Sequence, residues 1–203
     1  MPRTAPTRDV IGVPEFWSTR ELPEHECVQR FRANLLNLGG EVHLVSDTSG
    51  LRETLSEVLS SLRVMQVGIW NDPELEELVG PVLATYEVST WGIEPPSAFV
   101  DLDVGITGAH FAVADTGTLV LSCGEGRGRS VHLLPPVHLA VLRASQIRTR
   151  LGEALQELSE HPKRIDSYIH FVTGPSRSSD IENDQSIGVH GPAAEIVIVV
   201  ENI

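Results

Sequence analysis

The sequence predicts an α/β fold, a single domain with a mostly parallel central sheet flanked by helices. Three observations predict it. Amphipathic helical stretches alternate with short β-branched runs through the first half of the chain, the order that builds parallel sheets. The closing run Glu195–Val200 (EIVIVV) is too apolar for an edge strand and reads as buried on both faces. The chain has 203 residues, 41% hydrophobic and 21% charged. That is the size of one domain, long enough to bury about 70% of its unfolded surface.

Residues 1–21 are rich in Pro, Arg and Thr without periodicity and read as a flexible arm; residues 22–203 form the domain. From Glu24, Val28, Phe31, Leu35 and Leu38 recur at three and four residues, and Gly39-Gly40 stops that helix. Glu41–Ser46 is a strand. Asp47-Thr48-Ser49 caps a second helix marked by Leu51, Leu55, Val58, Leu59 and Leu62. Val64–Trp70 is the next strand, and Asn71-Asp72-Pro73 starts a third helix with Pro near its first position. Val82–Val88 is the strand expected after it. Val100–Thr107 and Gly117–Cys123 are two more strands, separated by Gly108–Thr116, too apolar for a solvent loop. Gly124–Arg129 (GEGRGR) is a turn, and Val137–Leu142 a strand. Ile147, Leu151, Leu155 and Leu158 mark a long helix ending near His161-Pro162. Tyr168–Thr173 reads as a buried strand, and the polar Gly174–Asp184 as the approach to a helix.

The formal net charge of −13 argues against nucleic acid or anionic lipid as the main partner, because both require a basic face. Fourteen arginines stand against a single lysine, Lys163, so Schiff-base chemistry is not expected. Cys27 and Cys123 stand far apart with no C-x-x-C, which leaves no thiolate set for an iron–sulfur cluster or zinc. Gly124–Gly128 lies between strand-like runs rather than opening a helix, so it is no dinucleotide fingerprint. No cofactor and no metal are therefore expected in this chain. No run approaches a membrane span, and the N-terminus has no apolar core after its charges; the expected location is the cytoplasm.

Three glycine-punctuated segments are candidates for chemistry. Thr173–Ile181 (TGPSRSSDI) follows a strand, where α/β sheets present ligands. Gly174 permits close backbone approach, Ser176 offers a hydroxyl, and Arg177 offers a forked donor for a carboxylate or phosphate. The same residues also suit a simple turn with Ser179 or Asp180 as helix cap. In Gly188–Pro192 (GVHGP) two glycines bracket His190, a candidate general acid or base, or merely a solvated turn residue. His190 and Asp180 are the candidate catalytic groups. Asp115-Thr116-Gly117 with Thr118 occurs once, so an aspartic-protease dyad would need a symmetric dimer; it reads better as a turn exposing backbone amides to a ligand. His110, His132, His138 and His190 show no i, i+4 pairing, and His110 and His138 sit in apolar runs as core or wall residues. Cys123, ending a strand, reads as a buried small hydrophobe.

Val104–Leu121 (VGITGAHFAVADTGTLVL), Leu134-Pro135-Pro136 with His138, TGPSRSSDIE and GVHGP, in this order, resemble the LUD-domain family over about residues 25–201. The resemblance implies a fold like the NagB/RpiA/CoA-transferase group and a role in oxidising L-lactate to pyruvate. It implies partner proteins that carry the iron–sulfur clusters, with this chain as the non-cluster subunit. Two other readings remain open at this point. One is a stand-alone enzyme of the CoA-transferase-like fold handling a thioester or phosphosugar, for which Glu182 or Glu195 would be the nucleophile. The other is a regulatory module that binds a small anion.

Overall fold

A computed structural model describes residues 21–160, 166–179, 185–188 and 190–203. Almost all of the expected arm, the His161-Pro162 helix end, Asp180 and Glu182 lie outside these residues.

The first three helices form where the periodicity places them. In α1 (Glu24–Asn37) the spacing of Val28, Phe31 and Leu35 buries one stripe, with Phe31 and Leu35 fully enclosed. The Asp47 side chain accepts from the Gly50 amide and caps α2 (Thr48–Ser61). Asp72 accepts from the amides of Glu74 and Leu75 at the start of α3 (Pro73–Leu83), whose first residue is proline.

Six strands make the central sheet: β1 (Glu41–Val45), β2 (Gln66–Ile69), β3 (Glu87–Thr90), β4 (Val104–Gly108), β7 (Val137–Arg143) and β12 (Ala194–Val200). Their order is β1-β12-β7-β4-β2-β3, and every pair is parallel. The apolar closing run does lie inside this sheet, with Val197 to Val200 fully buried between β1 and β7. Antiparallel pairing is confined to smaller units. Four strands, β5 (Phe111–Val113), β6 (Thr118–Cys123), β8 (Ile147–Arg148) and β9 (Tyr168–Val172), form a second sheet in the order β8-β5-β6-β9. β10 (Arg177–Ser179) pairs with β11 (Gln185–Ile187) as a separate antiparallel ribbon. α2 packs on β1 and β12, the short α4 (Ser130–Leu133) covers β4 and β7, and α5 (Leu151–Glu160) lies on β5 and β8.

Four local expectations are corrected. Val82 and Leu83 belong to the end of α3, and the strand after it is only Glu87–Thr90, a half-exposed edge. Ile147 pairs with Ala112 in β8, and α5 buries Ala154 and Leu158 while Leu151 and Leu155 face outward; one strand pairing rotates the helical stripe. β9 is an edge strand with Tyr168 and Phe171 exposed, because the fully buried positions go to the central sheet. The segment after Ser176 is an extended ribbon strand and not a helix start. Backbone pairing with Gln185–Ile187, Arg177 opposite Ile187, holds Arg177–Ser179 extended.

Candidate functional site

The expected residues gather near the edge where the parallel strands begin. The amides of Ala193 and Ala194 both donate to the Pro136 carbonyl, just ahead of β12 and β7. Asp115–Gly117 is the hairpin turn between β5 and β6; Gly117 takes φ +64°, which favours glycine, and a Cβ there would also lie 2.7 Å from the Leu35 amide nitrogen. The Thr118 hydroxyl bonds to Thr116 at 2.7 Å and to Thr173 at 2.9 Å, a ladder joining that turn to the segment after β9. The Ser176 amide donates to the Pro192 carbonyl at 2.8 Å, and its carbonyl accepts from the Gly188 amide at 3.0 Å. Two of the three segments are thus stitched to the third through hydroxyls and backbone. Gly174 packs beside Leu38, and His190 is exposed on its bend.

The charged members of this set are engaged by α1. Asp115 pairs with Arg30 at 2.7 Å. The exposed Arg177 donates to the Leu38 carbonyl, at the end of α1 where carbonyls lack intrahelical partners. Arg177→Ala should therefore cost about 0.5–1.5 kcal/mol of stability, the net value of one hydrogen bond. Urea unfolding checks this, and an unchanged midpoint would show that the cap is dispensable.

The opposite edge, where the parallel strands end, holds a pocket of about 130 Å³. Trp70 lines it just past β2, Gly108 and His110 at the end of β4, and Arg143 at the end of β7. Arg127 enters from the glycine-rich turn. That turn is held in place: the Trp70 indole donates to the Gly128 carbonyl at 3.0 Å, and the Asn71 amide to the Gly126 carbonyl at 2.8 Å. Arg127 donates to Asp166 at 2.6 Å and lies 3.7 Å from Asp72, while the Ser122 hydroxyl donates to Asp166 at 2.9 Å. Arg143 pairs with Glu74, and its buried Nε has no hydrogen-bond partner. Two guanidinium groups at one strand edge can hold an anion. Neither Arg127 nor Arg143 was among the expected site residues. The available signal was a charge ending an apolar strand, VHLAVLR.

Nearer the beginning of these strands lies a buried cluster that spacing along the chain conceals. Strand register sets Gly105, His138 and Glu195 side by side on β4, β7 and β12, all facing α4. His138 and Glu195 are at most 2% exposed, with the His138 Nδ1 2.8 Å from the Glu195 Oε1. The His138 Nε2 shares a 2.8 Å hydrogen bond with the Thr107 hydroxyl. His132, on α4, bonds through Nε2 to the His170 Nδ1 at 2.8 Å, and its ring stands edge-on to Trp70. Burial pushes the His132 pKa down to about 2, and the potential of His138, His170 and Arg129 adds to it. Burial, then Arg129 and His138, also lowers His170. His132 and His170 are therefore neutral at physiological pH. His138 is the core residue expected of it, and burial pushes the Cys123 thiol up to about 11, as for an inert small hydrophobe. The burial of Glu195 removes the basis for reading it as a nucleophile.

Among the described residues no helix is long and apolar enough to cross a membrane, and no three metal-ligating side chains converge. The fold and the pocket define a parallel-sheet α/β domain with guanidinium groups at the carboxyl edge of its strands. The chain belongs to the LUD-domain family, whose model matches residues 28–200. Lactate utilization protein C of Halalkalibacterium halodurans is 35% identical over 160 residues, covering 75% of this chain and 70% of that protein. Lactate utilization protein C of Bacillus subtilis is 31% identical across 95% of this chain and 88% of its own length. A crystal structure of a DUF162 family protein from Deinococcus radiodurans superposes with a TM-score of 0.68 at 21% identity, covering 88% of this chain and 99% of that one. That likeness establishes the α/β architecture.

Proposed function

We propose that this chain acts in lactate utilisation, as the non-cluster subunit of a system that oxidises L-lactate to pyruvate with iron–sulfur partner proteins. The observation that carries the proposal is the alignment with lactate utilization protein C of Bacillus subtilis along nearly the whole of both chains. The thiol count supports the division of labour. A cluster takes about four thiolates, whereas Cys27 and Cys123 are buried in separate elements, α1 and β6. The oxidation removes two electrons and two protons from lactate; the electrons pass to the partners. In this arrangement the present chain holds the small carboxylate.

Deleting the gene should impair growth on L-lactate and spare growth on pyruvate, since the defect lies in making pyruvate. His190→Ala, introduced in place of the wild type, should be nearly silent, because His190 is exposed on the bend where the strands begin, at the opposite edge from the arginine-lined pocket. Normal growth of the deletion strain on L-lactate, with no second lactate-oxidising system present, would overturn the proposal.

A further inference from the structure

We propose that the pocket at the carboxyl edge of the sheet binds a small monocarboxylate on Arg143, and that Glu74 is the resting occupant which the ligand displaces. The choice of a hydroxy or keto acid among monocarboxylates rests on the proposed lactate role; the anion chemistry rests on the pocket.

The position follows from the topology. From the carboxyl end of β2 the chain runs through α3 outward to β3, whereas from that of β4 it runs the other way, to β7. The adjacent ends of β2 and β4 are therefore the point where the winding reverses. Open parallel sheets leave a ligand crevice at that point, because the connecting segments diverge from it. Trp70 and Gly108 line the pocket on its two sides. A Cβ built on Gly108 would meet nothing within 4 Å, so the strand end is open towards a ligand.

The charges decide what fits. Arg127 is held by Asp166 and Asp72, whose side chains are only 25% and 26% exposed, and it remains compensated. Arg143 is held by Glu74, whose side chain is 64% exposed, and its Nε is buried without a partner. An exposed ion pair contributes little, so Glu74 can turn into water at small cost. Its departure leaves one uncompensated positive charge and an unused donor on Arg143. One carboxylate matches both. A phosphate dianion would bring a second negative charge into a pocket that already contains Asp72 beside Arg127. About 130 Å³ is room for a handful of water volumes, hence for an acid of a few carbons.

The test is calorimetric titration of the full chain with L-lactate, pyruvate and inorganic phosphate at neutral pH and low salt. The acids should bind and phosphate should bind more weakly. Arg143→Gln should weaken acid binding by roughly tenfold or more, the scale of a charged hydrogen bond. Glu74→Gln should tighten it several-fold, because the internal competitor is gone, and this exposed position keeps the test valid should the Arg143 variant fold poorly. Gly108→Val should abolish binding with the thermal transition retained. Absence of acid binding, preference for phosphate, or affinity unchanged by Glu74→Gln would overturn the inference. A growth defect on lactate without acid binding would overturn this pocket assignment and leave the lactate role standing. Acid binding with normal growth of the deletion strain would do the reverse.

Discussion

Gly105→Ala is expected to destabilise the domain by about 3 kcal/mol or more, at the upper end of overpacking effects. A Cβ at that position would overlap the carbonyl oxygen of Val131 and lie 2.7 Å from its carbon. Backbone cannot step aside as a flexible side chain does, so α4 must lift off β4 as a unit. Lifting it breaks the His132–His170 hydrogen bond and leaves the buried His132 imidazole without that partner, an additional cost of about 1–3 kcal/mol. Gly108→Ala is the internal control. It lies three residues further along the same strand, on the other face, where the added methyl meets nothing within 4 Å. There the substitution should be neutral, or stabilising by the reduced freedom of the unfolded chain. Denaturant unfolding of both variants decides the matter; equal losses would refute the packing argument.

Acidification should destabilise the protein well before its carboxylates titrate. An unfolded histidine takes up a proton near pH 6.5, whereas His132 in the folded state resists protonation down to about 2. The folded pKa is depressed, so the unfolded state binds more protons throughout that window. Stability is fully present above pH 6.5 and falls with pH below it. At about 1.4 kcal/mol per pH unit, His132 alone accounts for roughly 2 kcal/mol between pH 6.5 and pH 5. His170, lowered in the same direction, steepens the slope. The Glu195 carboxylate faces the cluster from the far side of His138, and its contact is with His138 rather than His132. His132→Leu removes the titrating ring while keeping an apolar side chain against Trp70. The difference in unfolding free energy between wild type and this variant should depend on pH between 5 and 7; a pH-independent difference would show that His132 is not the source.

Much of the fold was legible locally. Asp47 and Asp72 announce α2 and α3 because a cap acts within three residues of itself. Phe31 and Leu35 mark the buried stripe of α1 because helical periodicity is set by the backbone. The errors fall where tertiary pairing overrides a local pattern. Ile147 continues an apolar spacing with Leu151 and Leu155, yet pairing with Ala112 claims it for a strand and turns the helix by part of a turn. Ser179 has the chemistry of a cap, but the backbone around it pairs with Gln185–Ile187. Among the expected site residues, Thr116, Thr118, Ser176 and the GVHGP bend do adjoin, whereas Asp115 and Arg177 are engaged by α1.

By itself the sequence determined the α/β class, the central place of the closing strand, the helix caps and the segments that resemble the LUD-domain family. Each of these is carried by residues close together in the chain or by composition along one element. Only the tertiary structure decided which distant side chains meet. In a parallel sheet neighbouring strands come from remote parts of the chain, so the alignment of Gly105, His138 and Glu195 and the presence of Arg127 and Arg143 in one pocket depend on strand order and register. Those are global quantities, chosen by the packing of the whole core, and no spacing rule along the chain contains them.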